Sequence, residues 1–476
     1  MDEIQKKIKI KEYFDSVASQ RLKWRKKAAY FHRQLSRYIG FSIQKNCSVL
    51  EFGCEAGDLL ESLKPSRAVG VDYSKKMVEL AKEKFPHLDF RVGDIDDFHS
   101  LRVSEKFDYI IVGSVIGYVS DIQNALTQLR KVSHPSTRVI IVYYNYLWEP
   151  LLKLSEALGL RMKRPGQHWF SSRDLENFLE LAGFETIKKD NQILIPFYIP
   201  LLSTFLNRFF ANVWFFRKLS LVQMIYARPI MPRQDSQEVS CSVIIPCRNE
   251  RGNIEQLVLR LPPMGKKTEL IFIEGHSQDD TLSECERVRK KYANMHIKVF
   301  TQDGEGKGDA VRKGFANASE DILMILDADL TVPPEELPKF FEAIALGKGE
   351  LINGSRLVYK MEKQAMRFLN LIGNKFFSFM FTFLLEQYIK DTLCGTKALR
   401  KSDYERIAKE REYFGHLDPF GDFDLLFGAA KLNLKIIEIP VHYRERTYGS
   451  TQIRRFKHGW LLLKMTAIAM KKLKFV

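Results

Sequence analysis

One interruption constrains this chain more than any other feature. On both sides of ARPIMPRQDSQEVS (227–240), short apolar runs alternate with helical patterns. The stretch itself has two prolines and a polar cluster, which break regular elements and mark loops. Strand-like runs at Ser48–Phe52, Ala68–Val71, Phe107–Val112 and Arg138–Tyr143 precede it, and runs at Val239–Pro246, Glu269–Ile273, Ile297–Phe300, Ile322–Leu326 and Glu350–Asn353 follow it. Such alternation predicts α/β layers in each half. The halves do not resemble each other, so no repeat is inferred. With 476 residues and roughly 150 residues per domain, the expected organisation is a domain over 1–232, a linker over 233–238 and a domain over 239–476.

The flanks are basic. A basic helical stretch opens the chain and runs through about Tyr38, and from Arg444 to Val476 there are nine Lys or Arg against the single acid Glu445, half of the whole net charge of +16. A basic, partly apolar tail suits an anionic membrane surface or phosphate ligands. It is not read as a nucleic-acid arm, because no recognised nucleic-acid module is present. Six cysteines without a C-x-x-C pair read as reduced thiols. There is no apolar leader and no run of about 18 apolar residues, so the expected location is cytoplasmic, peripheral to the inner face of the cell membrane. The apolar segment Asn191–Met231 reads as a cap packed on the first core, with a membrane-touching surface as the alternative.

VLEFGCEAGDLL (49–60) is a strand, a small-residue turn and a helix start. That arrangement lets a ligand approach backbone N–H groups at a helix N-terminus. Asp72, nineteen residues after Gly53, ends the next strand, where an acid can hold ribose hydroxyls. Gly93 and Asp94 follow DFRV. This order resembles the class I S-adenosylmethionine-dependent methyltransferases over about Val49–Tyr143. Glu51, Gly53 and Gly57 match the first motif, Asp72 the ribose-binding acid and Asp94 the residue beside the adenine. The resemblance implies a Rossmann-like fold and S-adenosylmethionine as cofactor. One position departs: Glu55 stands where the family has its middle glycine, crowding the cofactor's amino-acid end and adding negative charge. Tyr118, Tyr144, Asn145, His168 and Trp169 could line an acceptor pocket; the alternative for each is an ordinary structural role.

In the second half, LMILDADL climbs an apolar run to Asp327 and Asp329. Two such acids repel each other, and burying either one unpaired is costly. Residues i and i+2 of a strand share a face about 7 Å apart. Where the strand frays, the pair can close on one hard divalent cation, Mg²⁺ or Mn²⁺, with positions left for phosphate. Three more segments point the same way: SVIIPCRNE (242–250), ELIFIEGHSQDDT (269–281) and the Gly/Lys turn GEGKGDAVRKGF (304–315), which holds Lys307.

Together they resemble glycosyltransferase family 2, with its GT-A fold and D-x-D motif, over about Val239–Tyr448. The resemblance implies that Asp327 and Asp329 bind the metal and that Pro246, Asn249, Glu250, Glu274, Asp279, Lys307 and Asp327 line the nucleotide-sugar site. Gly275 replaces the usual second acid. Within that family, NGSR (353–356), DTLCGTKALR (391–400) and YRERTYGSTQI (443–453) resemble segments of the polyprenyl-phosphate sugar synthases; Thr451-Gln452 stands where they carry Ser-Lys. Arg356, Arg444 and Arg446 are then expected on the acceptor phosphate. For an acceptor hydroxyl, Asp422 or Asp424 is expected as general base. The resemblance also implies inversion at the anomeric carbon. The expected function is therefore an inverting, metal-dependent transfer of sugar from a nucleotide-diphosphate donor to a lipid phosphate or a cell-envelope glycan, fused to a methyltransferase. The alternative keeps the sugar hydroxyl as acceptor and makes the N-terminal domain only a cofactor-binding or docking module. The helical stretch 366–391 puts Phe368, Ile372, Phe376, Phe379 and Phe383 on one face and Arg367, Asn370, Asn374 and Ser378 on another, and reads as either a core helix or an interfacial one.

Overall fold

The computed structural model describes residues 3–101, 103–359, 368–414, 421–446, 448–449 and 455–475. The chain divides into two compact units, 1–230 with 474–476, and 231–473.

The first unit holds a seven-stranded sheet: β1 (Ser48–Phe52), β2 (Arg67–Asp72), β3 (Asp89–Val92), β4 (Phe107–Val112), β5 (Ser133–Tyr144), β6 (Phe184–Gln192) and β7 (Val222–Pro229). Their order is β3-β2-β1-β4-β5-β7-β6. The first five pair in parallel, and β7 runs antiparallel to both β5 and β6. Strands β1, β4 and β5 read as near-continuous apolar runs because both faces are covered: Val49, Leu50, Ile110, Ile111, Ile140 and Ile141 are fully buried. The chain reverses its winding direction at β1, and in open α/β sheets ligands bind beyond the carboxyl ends at that point. Three helices, Glu3–Ser16, Ala18–Lys27 and Ala29–Ser42, precede β1, as the basic N-terminal pattern predicts.

Two readings of this half are corrected. The boundary stretch 227–240 does not begin as a loop: Ala227–Pro229 end β7, which pairs with β5 and β6. The segment 191–231 is not wholly a cap on the core: Ile193, Ala211 and Val222 are buried, but Phe197, Tyr198, Leu201, Phe205 and Phe215 are more than half exposed. An exposed apolar surface of that kind marks an interaction site rather than a core.

The second unit has β8 (Ser240–Cys247), β9 (Lys267–Glu274), β10 (His296–Thr301), β11 (Ile322–Ile325), β12 (Leu351–Ser355), β13 (Lys397–Arg400) and β14 (Ile436–Pro440), in the order β10-β9-β8-β11-β13-β12-β14. Strands β8–β11 are mutually parallel, β13 is antiparallel to both β11 and β12, and β14 is parallel to β12. The winding reverses at β8. The carboxyl ends of β8, β9 and β11 therefore lie together, and these are the ends that carry the sequence motifs.

The helix Phe368–Leu385 packs by Phe377, Phe381, Leu384 and Leu385, with the Phe381 ring stacked on Phe427 at 5.1 Å. The faces expected from sequence hold only in part: Phe383 packs against the core. Phe376 and Phe379 are exposed, whereas Asn374 is buried and Ser378 donates to the Ile389 carbonyl at 2.7 Å. Arg367, together with the side chains of Phe368, Asn370 and Ile372, lies outside what is described. So do Thr451 and Gln452. Among the described residues no helix is long and apolar enough to cross a membrane.

Candidate active sites of the two units

The turn after β1 is built on glycine. Gly53 and Gly57 have φ of 76° and 79°, the left-handed region where a Cβ is strained. A Cβ on Gly57 would also meet the Phe90 ring at 2.4 Å. Asp72, at the tip of β2, holds the turn by accepting from the Glu55 N–H at 3.0 Å and the Ser74 N–H at 2.9 Å. Burial pushes Asp72 up to about 6 despite those two donors.

Glu55 does stand in this turn with positive φ, but its charge is not left uncompensated. Arg21 and Arg25, from the helix Ala18–Lys27, both pair with its carboxylate, Arg25 at 3.0 Å. Burial works against ionisation of Glu55, and the two guanidiniums hold it well below the usual carboxylate range. Asp94 is engaged by Lys7 at 2.7 Å, and the same ammonium reaches Asp96 at 2.5 Å. Phe14, from the first helix, sits edge-on to both Tyr73 and Tyr118 at 5.7 and 5.4 Å. The N-terminal helices thus cover the carboxyl ends of β1–β4.

Glu51 is different. It is buried, its Oε2 has no hydrogen-bond partner, and burial pushes its carboxyl up to about 8. A buried polar atom without a partner is costly, and a ligand ammonium would satisfy it. Gly53, Gly57, Asp72 and the orphaned Glu51 oxygen therefore fit the backbone-approach, ribose and amino-acid ends of S-adenosylmethionine. Of the expected pocket residues, Tyr144, His168 and Trp169 line one small cavity with Gly117, Tyr143 and Gln167. Tyr118 reaches the same wall by donating to Gln167 at 3.3 Å. Asn145 is structural: its amide donates to the Lys218 and Ser220 carbonyls at 2.9 and 3.0 Å.

In the second unit the four segments meet. Pro246 is the next-to-last residue of β8. Asn249, with φ of 55°, bonds both ways across to the β9 loop: its N–H donates to Ser277 Oγ at 3.0 Å, and its Oδ1 accepts from the Gln278 N–H at 2.8 Å. Glu274 accepts from the Ser277 N–H at 2.5 Å, and Asp279 accepts from the Thr281 N–H at 3.1 Å. Glu250 takes Asn253 Nδ2 at 2.7 Å and Arg446 Nη1 at 2.9 Å. Burial pushes Glu250 up to about 7 even so.

Asp327 lies two residues beyond β11 and pairs with Lys307, the first residue of the helix Lys307–Asn317. Asp329 accepts from Thr331 Oγ1 at 2.7 Å and from Arg446 Nη2 at 2.5 Å. Each acid of the pair thus has its own cation, and Arg446 ties Asp329 to Glu250. Burial disfavours the charged form of Asp327, but Lys307 outweighs it and holds the carboxyl below its ordinary value. Among the described residues no group of three His, Cys, Asp or Glu could hold a metal. The pair fits a divalent cation only where phosphate and water complete the shell, the usual habit of Mg²⁺.

The segment Asp391–Lys397 closes this site. A Cβ on Gly395 would lie 2.1 Å from Lys307 Nζ and 2.3 Å from Asp327 Oδ2, so the backbone runs directly against the acid. Lys397, fully buried, pairs with Asp422 Oδ1 at 2.8 Å. Lys307 feels Asp327, Asp422 and Asp329 together. Asp424 does not join them. Two positions on along a helix it faces elsewhere, and it pairs with Arg411 at 2.6 Å. Arg356 forms a fork on the buried Asp391, Nε to Oδ2 at 2.7 Å and Nη2 to Oδ1 at 2.8 Å, with its guanidinium 5.2 Å from the Tyr443 ring centre. Arg444 is exposed, anchored by its own N–H to the Thr331 carbonyl at 2.8 Å. Gly395, Lys397 and Asp391 had a sequence signal, the D-x-x-x-G-x-K spacing, but no individual roles. Arg21 and Arg25 had none.

Both units thus place acids at the carboxyl ends of parallel strands, where the winding of the sheet reverses. Comparison with known proteins gives each its class. A family described as methyltransferase domain matches residues 22–189, and glycosyl transferase family 2 matches residues 242–408. The first unit has a methyltransferase fold, and the second is a family 2 glycosyltransferase domain. The dolichol-phosphate mannosyltransferase of Pyrococcus furiosus is 32% identical over 219 residues, covering 45% of this chain and 59% of that protein. The dolichol-phosphate mannosyltransferase of Saccharomyces cerevisiae is 41% identical over 111 residues, covering 22% of this chain and 41% of the relative. The chain therefore spans about half the length of these relatives. A magnesium protoporphyrin IX methyltransferase from Synechocystis aligns in structure at 17% identity and a TM-score of 0.34, covering 47% of this chain and 99% of that one.

Proposed function

We propose that the second unit transfers a sugar, with inversion, from a nucleotide-diphosphate donor to a polyprenyl phosphate, and that the first unit binds S-adenosylmethionine and methylates an acceptor. The observation that carries the sugar transfer is the meeting of Asp327, Lys307, Asp329, Arg446 and Gly395 at the ends of β8, β9 and β11. Asp327 and Asp329 would hold Mg²⁺ or Mn²⁺, which when bound would neutralise the leaving diphosphate. Lys307 is placed to contact the same phosphates. Asn249, Glu250, Glu274 and Asp279 shape the nucleoside end through the loop hydrogen bonds above. Arg356, Arg444 and Arg446 supply cations for an acceptor phosphate, which is already an anion and needs no base. Resemblance to the two dolichol-phosphate mannosyltransferases supports this acceptor.

A second reading has one observation in its favour. Asp422 shares a charge network with Asp327 through Lys307 and could take the proton from a sugar hydroxyl. Asp422→Asn would then cost about 10²–10⁴-fold in rate.

Bound S-adenosylmethionine would supply an electrophilic methyl group. Gly53, Gly57 and Asp72 position it, and Glu51 meets its ammonium. Exposed Phe376, Phe379 and Trp460, with the basic tail, support docking to a membrane face.

The test is a panel of radiolabelled nucleotide sugars with the full chain, Mn²⁺ or Mg²⁺ and polyprenyl phosphate, partitioned between butanol and water. Metal-dependent label in butanol, absent in Asp327→Ala/Asp329→Ala, is expected. Nucleoside diphosphate released without label in butanol would overturn the lipid-phosphate acceptor and favour the hydroxyl reading.

A further inference from the structure

The cavity beside the β1 turn has an unusual charge balance. Tyr144 is the last residue of β5. Arg161 and Arg164 lie over its ring, at 5.2 and 5.5 Å from the centre. Arg161 also pairs with Glu156 at 3.3 Å. Arg164 acts electrostatically on the Tyr144 hydroxyl, and no carboxylate among the described residues forms an ion pair with it. The nearby acids are already engaged: Glu55 by Arg21 and Arg25, Asp94 and Asp96 by Lys7.

Two cavities lie on either side of Gln167 and His168 here. The inner one, about 10 Å³, is lined by Gly117, Tyr144, Gln167, His168 and Trp169, among others. Its Ile116–Gly117 wall follows Val115, which packs 3.2 Å from where a Cβ of Gly53 would sit, so the cavity abuts the cofactor turn. The outer one, about 500 Å³, is lined by Lys6, Lys9, Ile10 and Tyr13 and shares Gln167 and His168 with the inner. Lys6 and Lys9 are exposed and have no carboxylate partner among the described residues. The outer cavity thus carries Lys6 and Lys9, Arg164 directly precedes its Pro165–Gly166 wall, and Arg161 and Arg164 lie on the ring of Tyr144, which lines the inner one. An unpaired, partly buried guanidinium is what a phosphoryl or carboxyl group satisfies with charge-assisted hydrogen bonds.

We infer that these cavities are the acceptor subsite of the methyl-transfer centre and that the acceptor enters as an anion, a phosphoryl or carboxyl group seated on Arg164 with Lys6 and Lys9 at the mouth. The inference rests on the cofactor reading of the β1 turn. Tyr144 is consistent with it: burial would raise its phenol, but Arg164, Arg161 and Arg21 outweigh burial and draw it below its ordinary value. The same cations would hold an acceptor anion.

The experiment is calorimetric titration of the full chain saturated with S-adenosylhomocysteine. The probes are glucose 1-phosphate, glucuronate and the neutral methyl glucoside. Saturable binding of at least one anion is expected, with none of the glucoside, and the stronger anion tells phosphoryl from carboxyl. Arg164→Ala should weaken the anion by about tenfold or more while leaving S-adenosylhomocysteine affinity unchanged, and Arg164→Lys should restore part of the loss. Because Arg164 packs among rings, the exposed pair Lys6→Ala/Lys9→Ala serves as a second variant, with a loss of about threefold expected. Anion binding unchanged in Arg164→Ala and in the lysine pair, or cofactor-product binding with no anion binding at all, would overturn the inference alone. No binding of S-adenosylhomocysteine would overturn the cofactor reading and the acceptor role with it.

Discussion

The two sites use the same scaffold position and opposite charge states. In the second unit the acids arrive already paired: Asp327 with Lys307, Asp329 with Arg446, Asp422 with Lys397 and Asp391 with Arg356. In the first, the Glu51 Oε2 has no hydrogen-bond partner, and Arg164, like the exposed Lys6 and Lys9, has no carboxylate partner among the described residues. The difference matches what each site would receive. A metal–diphosphate carries both signs, so it can exchange partners with an internally neutral site. A ligand ammonium and an acceptor anion each need a free complement. Leaving a buried polar group without a partner costs stability.

The comparison can be broken most severely in the second unit. Asp327→Ala/Asp329→Ala should reduce sugar transfer by about 10³-fold or more, the scale of losing several kcal/mol of charge stabilisation, while S-adenosylhomocysteine affinity stays the same. Radiolabel transfer and calorimetry on one preparation check both halves. Gly395→Ala forces a methyl group onto Lys307 and Asp327; displacing reacting groups by about 1 Å costs on the order of 10²-fold in kcat. A fully active Gly395→Ala would mean that this backbone does not position the acid.

Glu51 sharpens the contrast through pH. The folded protein keeps the Glu51 proton up to about pH 8, whereas the unfolded chain loses it near 4.5. Stability therefore falls as pH rises through that window. Glu51→Gln should match the wild type at pH 4.5 and exceed it by about 4 kcal/mol at pH 8 in thermal unfolding without cofactor. A variant equally or less stable at pH 8 would show that Glu51 has a partner. The smallest effect is expected at Arg446. Removing its competing charge from Asp329 should strengthen Mn²⁺ binding in the absence of nucleotide by about three- to tenfold, read by electron paramagnetic resonance; weaker binding would make Arg446 a support rather than a competitor.

Strands with both faces covered were legible in the sequence: β1 and β4 fall on the apolar runs that predict them. Strand β6, FETIKKDNQ, was not, because an edge strand with a polar face lacks that signal. Strand β7 hid inside a longer apolar segment, where periodicity cannot separate a buried strand from a cap. Residues within a motif were also legible, since turn chemistry is local. Their partners were not: Arg25 reaches Glu55 across 30 positions and Arg446 reaches Asp329 across 117. The partly mistaken faces of Phe368–Leu385 have the same cause, because periodicity finds a stripe but not the neighbour it meets.

The most direct measurement of the central claim is Mn²⁺ binding to the full chain, by electron paramagnetic resonance, with and without a nucleoside diphosphate. Lys307 and Arg446 already occupy the acid pair, so Mn²⁺ alone should bind weakly and the diphosphate should strengthen it by at least about tenfold, with all binding lost in Asp327→Ala/Asp329→Ala. Mn²⁺ binding that is equally tight without the diphosphate, or that survives in the double variant, would contradict it.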